Sequence, residues 1–175
     1  MAEAADDGPA WAHELYDFLK AEGVRIFCYV PDAGHKVLID RSLADADVES
    51  IPLTTEEEGV SLLAGAHLGG AKGALLMQSS GVGNCVNMFS LLANGRFPFL
   101  SFISMRGDFG EGNPWQMAMG RAVEPVLQAM GVMSIRADAP DDVIACARAA
   151  HDMAYKSNVA TAVLLTQRLI GAKGF

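Results

Sequence analysis

"GALLMQSSGVGNCVNMFSLL", residues 73–92, decides the fold. Its first six residues form a short apolar run ending at Gln78, and turn residues bound it, which is the pattern of a fully buried strand. Gly81 and Gly83 follow at once, and a helix over 84–94 is expected behind them. A strand that runs through a glycine turn into a helix is the repeating unit of an α/β sheet. Bare amides at Gly81 and Gly83 let a ligand approach the backbone closely. The turn lacks the lysine and Ser/Thr of a phosphate loop and the third glycine of a dinucleotide fingerprint. As a plain strand-to-helix turn it would use Asn84 as a cap.

The same unit recurs outward in both directions. Helix 10–23 ends at Gly23, and "VRIFCYV" (24–30) is a strand stopped by Pro31. A short helix through "HKVLIDRSL" leads to a strand at "VESIPL", and helix 56–69 leads back to residue 73. Beyond it come strand "FPFLSFIS" (97–104), a polar loop over 105–120 and helix 121–130. Strand "VMSIRA", helix 140–156 and strand "VATAVLLT" (159–166) complete the series. Six short apolar strands separated by helices predict a single α/β/α domain with a doubly wound, mainly parallel sheet over 1–175, its core at about 10–168.

Composition sets limits on function. The chain has 175 residues, 51% hydrophobic and 19% charged, so part of its surface is expected to lie against another chain. A net charge of −8 argues against nucleic-acid binding. Cys28, Cys85 and Cys146 have neither disulfide nor zinc spacing and read as buried thiols of a cytoplasmic protein. "MAEAADDGPAW" has no apolar core and is not expected to be a signal peptide, and no run is long enough to span a membrane.

Ligands of such sheets bind beyond the carboxyl ends of the strands. That places four segments at the site: "PDAGH", "TTEEEG", "SSGVGN" and "MRGDFGEGNPWQ". Arg106 in the last, and Arg121 after it, are either grips for a carboxylate, phosphonate or sulfonate or solvated surface arginines. His35 either touches a ligand or starts a helix. Glu56, Glu57 and Glu58 are separated by about 100° each on a helix, so they cannot share one environment. The residue nearest the strand end faces the crevice, and the others face solvent or a partner.

On "VPDAG", "TEEEGVSLLAGAHLGG", "LLMQSSGVGNCVNMFSLL" and "SMRGDFGEGNPWQMAMGRA" the chain resembles the pyrimidine-binding domain of thiamine diphosphate-dependent decarboxylases. The nearest likeness is to the alpha subunits of sulfopyruvate decarboxylases and the equivalent half of phosphonopyruvate decarboxylases. The resemblance implies one glutamate that hydrogen-bonds N1′ of the aminopyrimidine and promotes the imino form that deprotonates the thiazolium. Counting nine residues back from Gly65 selects Glu56, with Glu57 as runner-up. It further implies cofactor contacts at Pro31, Asp32, Ser80, Gly81, Gly83 and Asn84, and substrate contacts at His35, Gln78, Arg106 and Arg121.

Two departures bear on substrate. Ala66-His67 stands where the family has Ala-Tyr, and "PDAG" stands where "PDS" or "PGS" is common. The family's Gly-Asp-Gly and asparagine pair, which hold the diphosphate and Mg²⁺, have no counterpart here. The resemblance therefore implies half an enzyme, with no metal ligands of its own and a beta subunit in an α₂β₂ or larger assembly. A small anionic 2-oxo acid is the expected substrate. A split carboligase, a non-catalytic subunit of the same fold and a flavodoxin-like nucleotide module are the alternatives, though "PDAGH" lacks the phosphate-loop chemistry the last would need.

Overall fold

A computed structural model describes residues 8–172; the acidic stretch through Asp7 lies outside them. Six strands form one parallel sheet in the order β2-β1-β3-β4-β6-β5. They are β1 (Val24–Tyr29), β2 (Glu49–Pro52), β3 (Lys72–Gln78), β4 (Phe99–Ser104), β5 (Met133–Ala137) and β6 (Ala160–Leu165). All six residues of β4 are buried, as a central strand covered on both faces requires.

Strand alternation splits the interior into two layers. Phe27, Leu76, Phe102 and Val163 face α1 (Ala10–Ala21), α2 (Lys36–Ala44) and α7 (Val143–Ser157). Their neighbours Cys28, Leu75, Ile103 and Leu164 face α3 (Glu56–Leu68), α4 (Ser79–Cys85), α5 (Phe89–Gly95) and α6 (Pro114–Ala129). The α/β/α class and the parallel sheet are as the sequence predicts. The winding leaves β1 first toward β2 and then toward β3, so the crevice beyond the β1 and β3 ends is the switch point.

Four element boundaries differ from expectation, each for a local reason. The helix expected over 84–94 is two short ones: α4 begins at Ser79, directly after β3, and α5 ends at Arg96, whose φ is 52°. The loop expected over 105–120 stops at Asn113, whose side chain accepts from Trp115 N with Pro114 at the first helical position. Helix α6 therefore starts seven residues before 121. A 3₁₀ turn at Pro140–Asp142 precedes α7, and a short α8 (Gln167–Ile170) follows β6.

Opposite the switch point, the sheet is locked at its other end. A register irregularity between Val24 and Ile26 disturbs the β1–β3 ladder beside Gly73. The Tyr155 hydroxyl accepts from Gly73 N at 3.0 Å and donates to Gly73 O at 2.5 Å. Both polar groups of that residue are thereby satisfied.

Candidate active site

The three glutamates at the start of α3 take three different environments. Thr55 is the extended residue before the helix, and Glu58 reaches back so that its Oε2 accepts from Thr54 N at 2.9 Å. Glu57 Oε2 accepts from the Thr55 hydroxyl at 2.5 Å, which holds its carboxyl below the usual range. Both are helix-start devices. Glu56 is 7% exposed and lies against α4.

Contact with α4 depends on Gly81. A Cβ there would stand 2.5 Å from Glu56 Cγ and Cδ and 2.6 Å from Oε1, so only a hydrogen fits. One turn along, Asn84 Nδ2 donates to Glu56 Oε2 at 2.8 Å. Asn84 itself is exposed, whereas the carboxylate it donates to is buried. Gly83 lies on the α6 side, where a Cβ would meet Met119 Sδ at 3.2 Å.

Asp32 is the hub of the β1 exit. Its Oδ2 accepts from Ser104 Oγ at 2.6 Å and Gly34 N at 3.0 Å, and its Oδ1 from Gln78 Nε2 at 3.3 Å. Burial pushes the carboxyl upward, but the Ser104 hydrogen bond, the neighbouring His35 and the remaining donors outweigh it, and the net shift is downward. Gln78 Oε1 in turn accepts from Ser80 Oγ at 2.9 Å, and Pro31 is exposed beside them. One polar network thus joins the ends of β1, β3 and β4.

Two of the expected substrate contacts are turned inward. His35 is wholly buried, and burial pushes its ring below the usual range; Nε2 lies 3.1 Å from Met77 O, and since a carbonyl only accepts, the ring nitrogen donates to it. His35 does stand at the N-cap position of α2, though its side chain makes no cap bond, and Asp32 caps the 3₁₀ turn before it. Arg106 is 8% exposed, and its fork grips Glu111, Nε to Oε2 at 2.6 Å and Nη2 to Oε1 at 2.9 Å. A guanidinium this buried needs such a partner. Arg121 is exposed on α6.

Sequence reading missed the residues that fix the 105–113 strap. Gln167 Oε1 accepts from Asp108 N at 2.9 Å and Phe109 N at 3.0 Å, while its Nε2 donates to Glu111 Oε2 at 3.0 Å. Arg106 N donates to Ser79 Oγ at 3.0 Å, tying the β4 exit to the start of α4. Ser104 and Gln167 stand at or just past strand ends, so the strand-exit rule could have flagged them; Glu111 lay in a segment that rule did pick out, but its pairing with Arg106 was not foreseen.

A cavity of about 560 Å³ lies between α1, α2 and α8, walled by Trp11, Val37, Arg41 and Leu169 among others, and Glu56, Gly81 and Asn84 are not part of it. The carboxylate site is one wall rather than an enclosed pocket, with Ser80, Gly83 and Asn84 exposed beside it. Among the described residues no three His, Cys, Asp or Glu side chains gather as metal ligands.

No family model matches the chain. It is 36% identical over 151 residues to the sulfopyruvate decarboxylase subunit alpha of Methanocaldococcus jannaschii, a match covering 86% of this chain and 89% of that one. It is 35% identical over 118 residues to a phosphonopyruvate decarboxylase of Streptomyces viridochromogenes, covering 66% of this chain but 30% of that longer protein. Among solved structures, the 2-oxoglutarate:ferredoxin oxidoreductase of Magnetococcus marinus superposes with a TM-score of 0.73 over 90% of this chain and 29% of that one. At 14% identity this is a likeness of fold.

Proposed function

This chain belongs to the family of sulfopyruvate decarboxylase alpha subunits, and we propose that it is the pyrimidine-binding half of a thiamine diphosphate-dependent enzyme converting 3-sulfopyruvate to sulfoacetaldehyde and CO₂. The observation that carries the reading is Glu56: a buried carboxylate at the sheet's ligand-binding edge, packed on a glycine, with Oε2 occupied by Asn84. A half-site of this kind fits one end of a flat, nitrogen-bearing ring. When bound, thiamine diphosphate supplies the electron sink that a 2-oxo acid needs to lose CO₂.

The chain's own residues have three tasks. Glu56 holds and exchanges a proton at the ring nitrogen through its remaining oxygen, Oε1. The bare face of Gly81 lets the carboxylate lie against α4, and with Gly83 and Ser80 it forms the wall for the ring. Pro31, Asp32 and Gln78 line the adjoining exit of β1 and β3, where the three donors fix the orientation of the Asp32 carboxylate.

The diphosphate and Mg²⁺ are assigned to a beta subunit, in an α₂β₂ or larger assembly. Support comes from chain length: the same unit makes up most of the separate alpha subunits and about 30% of the single-chain relatives. No helix among the described residues is long and apolar enough to cross a membrane, and we assign the complex to the cytoplasm. Phosphonopyruvate is the second substrate candidate, because its decarboxylases are similarly identical to this chain.

The test is reconstitution. The chain alone should decarboxylate nothing; with its beta subunit it should act on sulfopyruvate, with phosphonopyruvate and pyruvate as comparison substrates. Glu56→Gln should lower kcat by roughly 10²–10⁴-fold, while Glu57→Gln stays within a few-fold. Loss of activity in Glu57→Gln with a mild Glu56→Gln would move the assignment by one residue.

A further inference from the structure

Asn84 was expected to touch the cofactor. The geometry points instead to a positioning role: we propose that Asn84 acts through Glu56, occupying Oε2 so that the carboxylate is held with Oε1 as its one open acceptor. This rests on Glu56 being the cofactor's acceptor and deepens that reading.

Four observations carry it. First, the Asn84 Nδ2 to Glu56 Oε2 distance is 2.8 Å, and a carboxylate can only accept, so the amide must donate. Second, Asn84 is the one side chain among the described residues that donates to Glu56, so no other donor fixes the rotation of its carboxylate. Third, Gly81 sets the height of the carboxylate: its bare face lies against Cγ, Cδ and Oε1. Gly81 and Asn84 are three residues apart on one short helix, so the support beneath and the donor beside move as one body. Fourth, Asn84 does not serve as a helix cap, since it sits six residues into α4 and the residue before that helix is Gln78. Its amide is thus not explained by local backbone structure.

An unfixed carboxylate could rotate and present either oxygen, or turn toward solvent past exposed Asn84. With Oε2 occupied, one oxygen is aimed and the other is spoken for. Groups that orient a functional side chain in this way typically account for about 10–100-fold in affinity or rate. Cys85 on α4 feels the charge of both Glu56 and Glu57 on α3, and its thiol is pushed up to about 12, chiefly by burial.

The experiment is a double-mutant cycle on the assembled complex with its beta subunit, read by the dissociation constant of thiamine diphosphate in a fluorescence titration as well as by kcat. Asn84→Ala should weaken binding by about tenfold in the parent and less than twofold on a Glu56→Gln background. An equal loss in both backgrounds would mean that Asn84 touches the cofactor directly and would overturn the proposal. If Glu56→Gln itself leaves binding and turnover intact, the functional reading fails instead, so the two failures are distinguishable. Asn84→Asp adds a second readout. It places a carboxyl where the amide was, and two adjacent carboxyls bind a shared proton more tightly than either alone. As pH falls and that proton is taken up, a donor to Glu56 returns, so relative to the parent the variant should recover kcat toward lower pH. A pH profile merely scaled down from the parent would also overturn the proposal, since a structural role moves no titration.

Discussion

Replacing Gly81 with alanine tests the site without removing a polar atom. The added Cβ would meet Glu56 Cγ and Cδ at 2.5 Å and Oε1 at 2.6 Å. Carbon atoms rest at about 3.5–4.0 Å, so the carboxylate has to retreat by roughly 1–1.5 Å. The obstacle is the end of a flexible side chain rather than backbone, so the fold has a way to yield. Gly81 lies inside α4, where alanine gains up to about 1 kcal/mol of helix propensity against about 1–3 kcal/mol of overpacking. The net cost is on the order of 0–2 kcal/mol, a fall in melting temperature of at most about 8 °C for a chain of this size. Catalysis is less tolerant, because a displacement near 1 Å at a reacting group costs about 10²-fold. The expected result for Gly81→Ala in the assembled complex is therefore a folded enzyme melting at most about 8 °C lower, with a weakened thiamine diphosphate affinity and a kcat lower by about two orders of magnitude. Glu56→Gln with Gly81→Ala should be no slower than Glu56→Gln alone. A Gly81→Ala enzyme that folds, binds and turns over like the parent would refute the claim that the Glu56 carboxylate must sit on that glycine.

Glu111→Gln removes the partner of a nearly buried guanidinium and should cost about 3–5 kcal/mol in denaturant unfolding. Its parent carboxyl is held at about 2, below the usual 4.5, chiefly by Arg106. A depressed carboxyl stabilises the fold above its unfolded pKa, so the parent should lose that stability as pH falls from about 5 toward 2, and the Gln variant should show a flatter stability profile there. Tyr155→Phe should cost about 1–3 kcal/mol by leaving the Gly73 amide and carbonyl without a partner, measured by thermal melt and by faster hydrogen exchange at Gly73. Arg121→Ala should raise KM for sulfopyruvate more than for pyruvate, whereas Arg106→Ala should mainly lower the melting temperature; a substrate-selective KM effect from Arg106→Ala alone would reverse that division.

How far the sequence could be read follows from the range of each interaction. The parallel sheet was legible because each strand is a short apolar run between turn residues. Helical spacing foretold that the three glutamates would take different environments, while the choice of Glu56 among them came from the family resemblance. The start of α6 was legible too, in the Asn113-Pro114 pair, but the four glycines around it read as loop and hid the signal. Other features were beyond reach. Arg106 and Glu111 are five apart in irregular chain, a spacing that implies no contact until the strap's path is known. Gln167 reaches Glu111 from 56 residues away, and nothing in either segment announces the other. The need for glycine at position 81 likewise belongs to Glu56, 25 residues earlier, and not to the turn that seemed to explain it.

The distribution of charge bears on where a doubly anionic substrate is held. The chain carries a net charge of −8, and most of the arginines near the strand ends are already engaged. Arg106 is bound by Glu111, and Arg136 is shared among Asp108, Glu124 and Asp138. The 105–113 strap has the amides of Asp108 and Phe109 taken by Gln167 and that of Asn113 by Glu111, which gives it little to offer an incoming anion. Arg121 is exposed on α6, and we propose it as this chain's cation for a sulfonate. In the proposed assembly a second positive group would come from the facing chain, as the diphosphate and Mg²⁺ site would. Substrate binding and cofactor binding then share one requirement, and specificity for a sulfonate becomes a property of the interface rather than of either subunit.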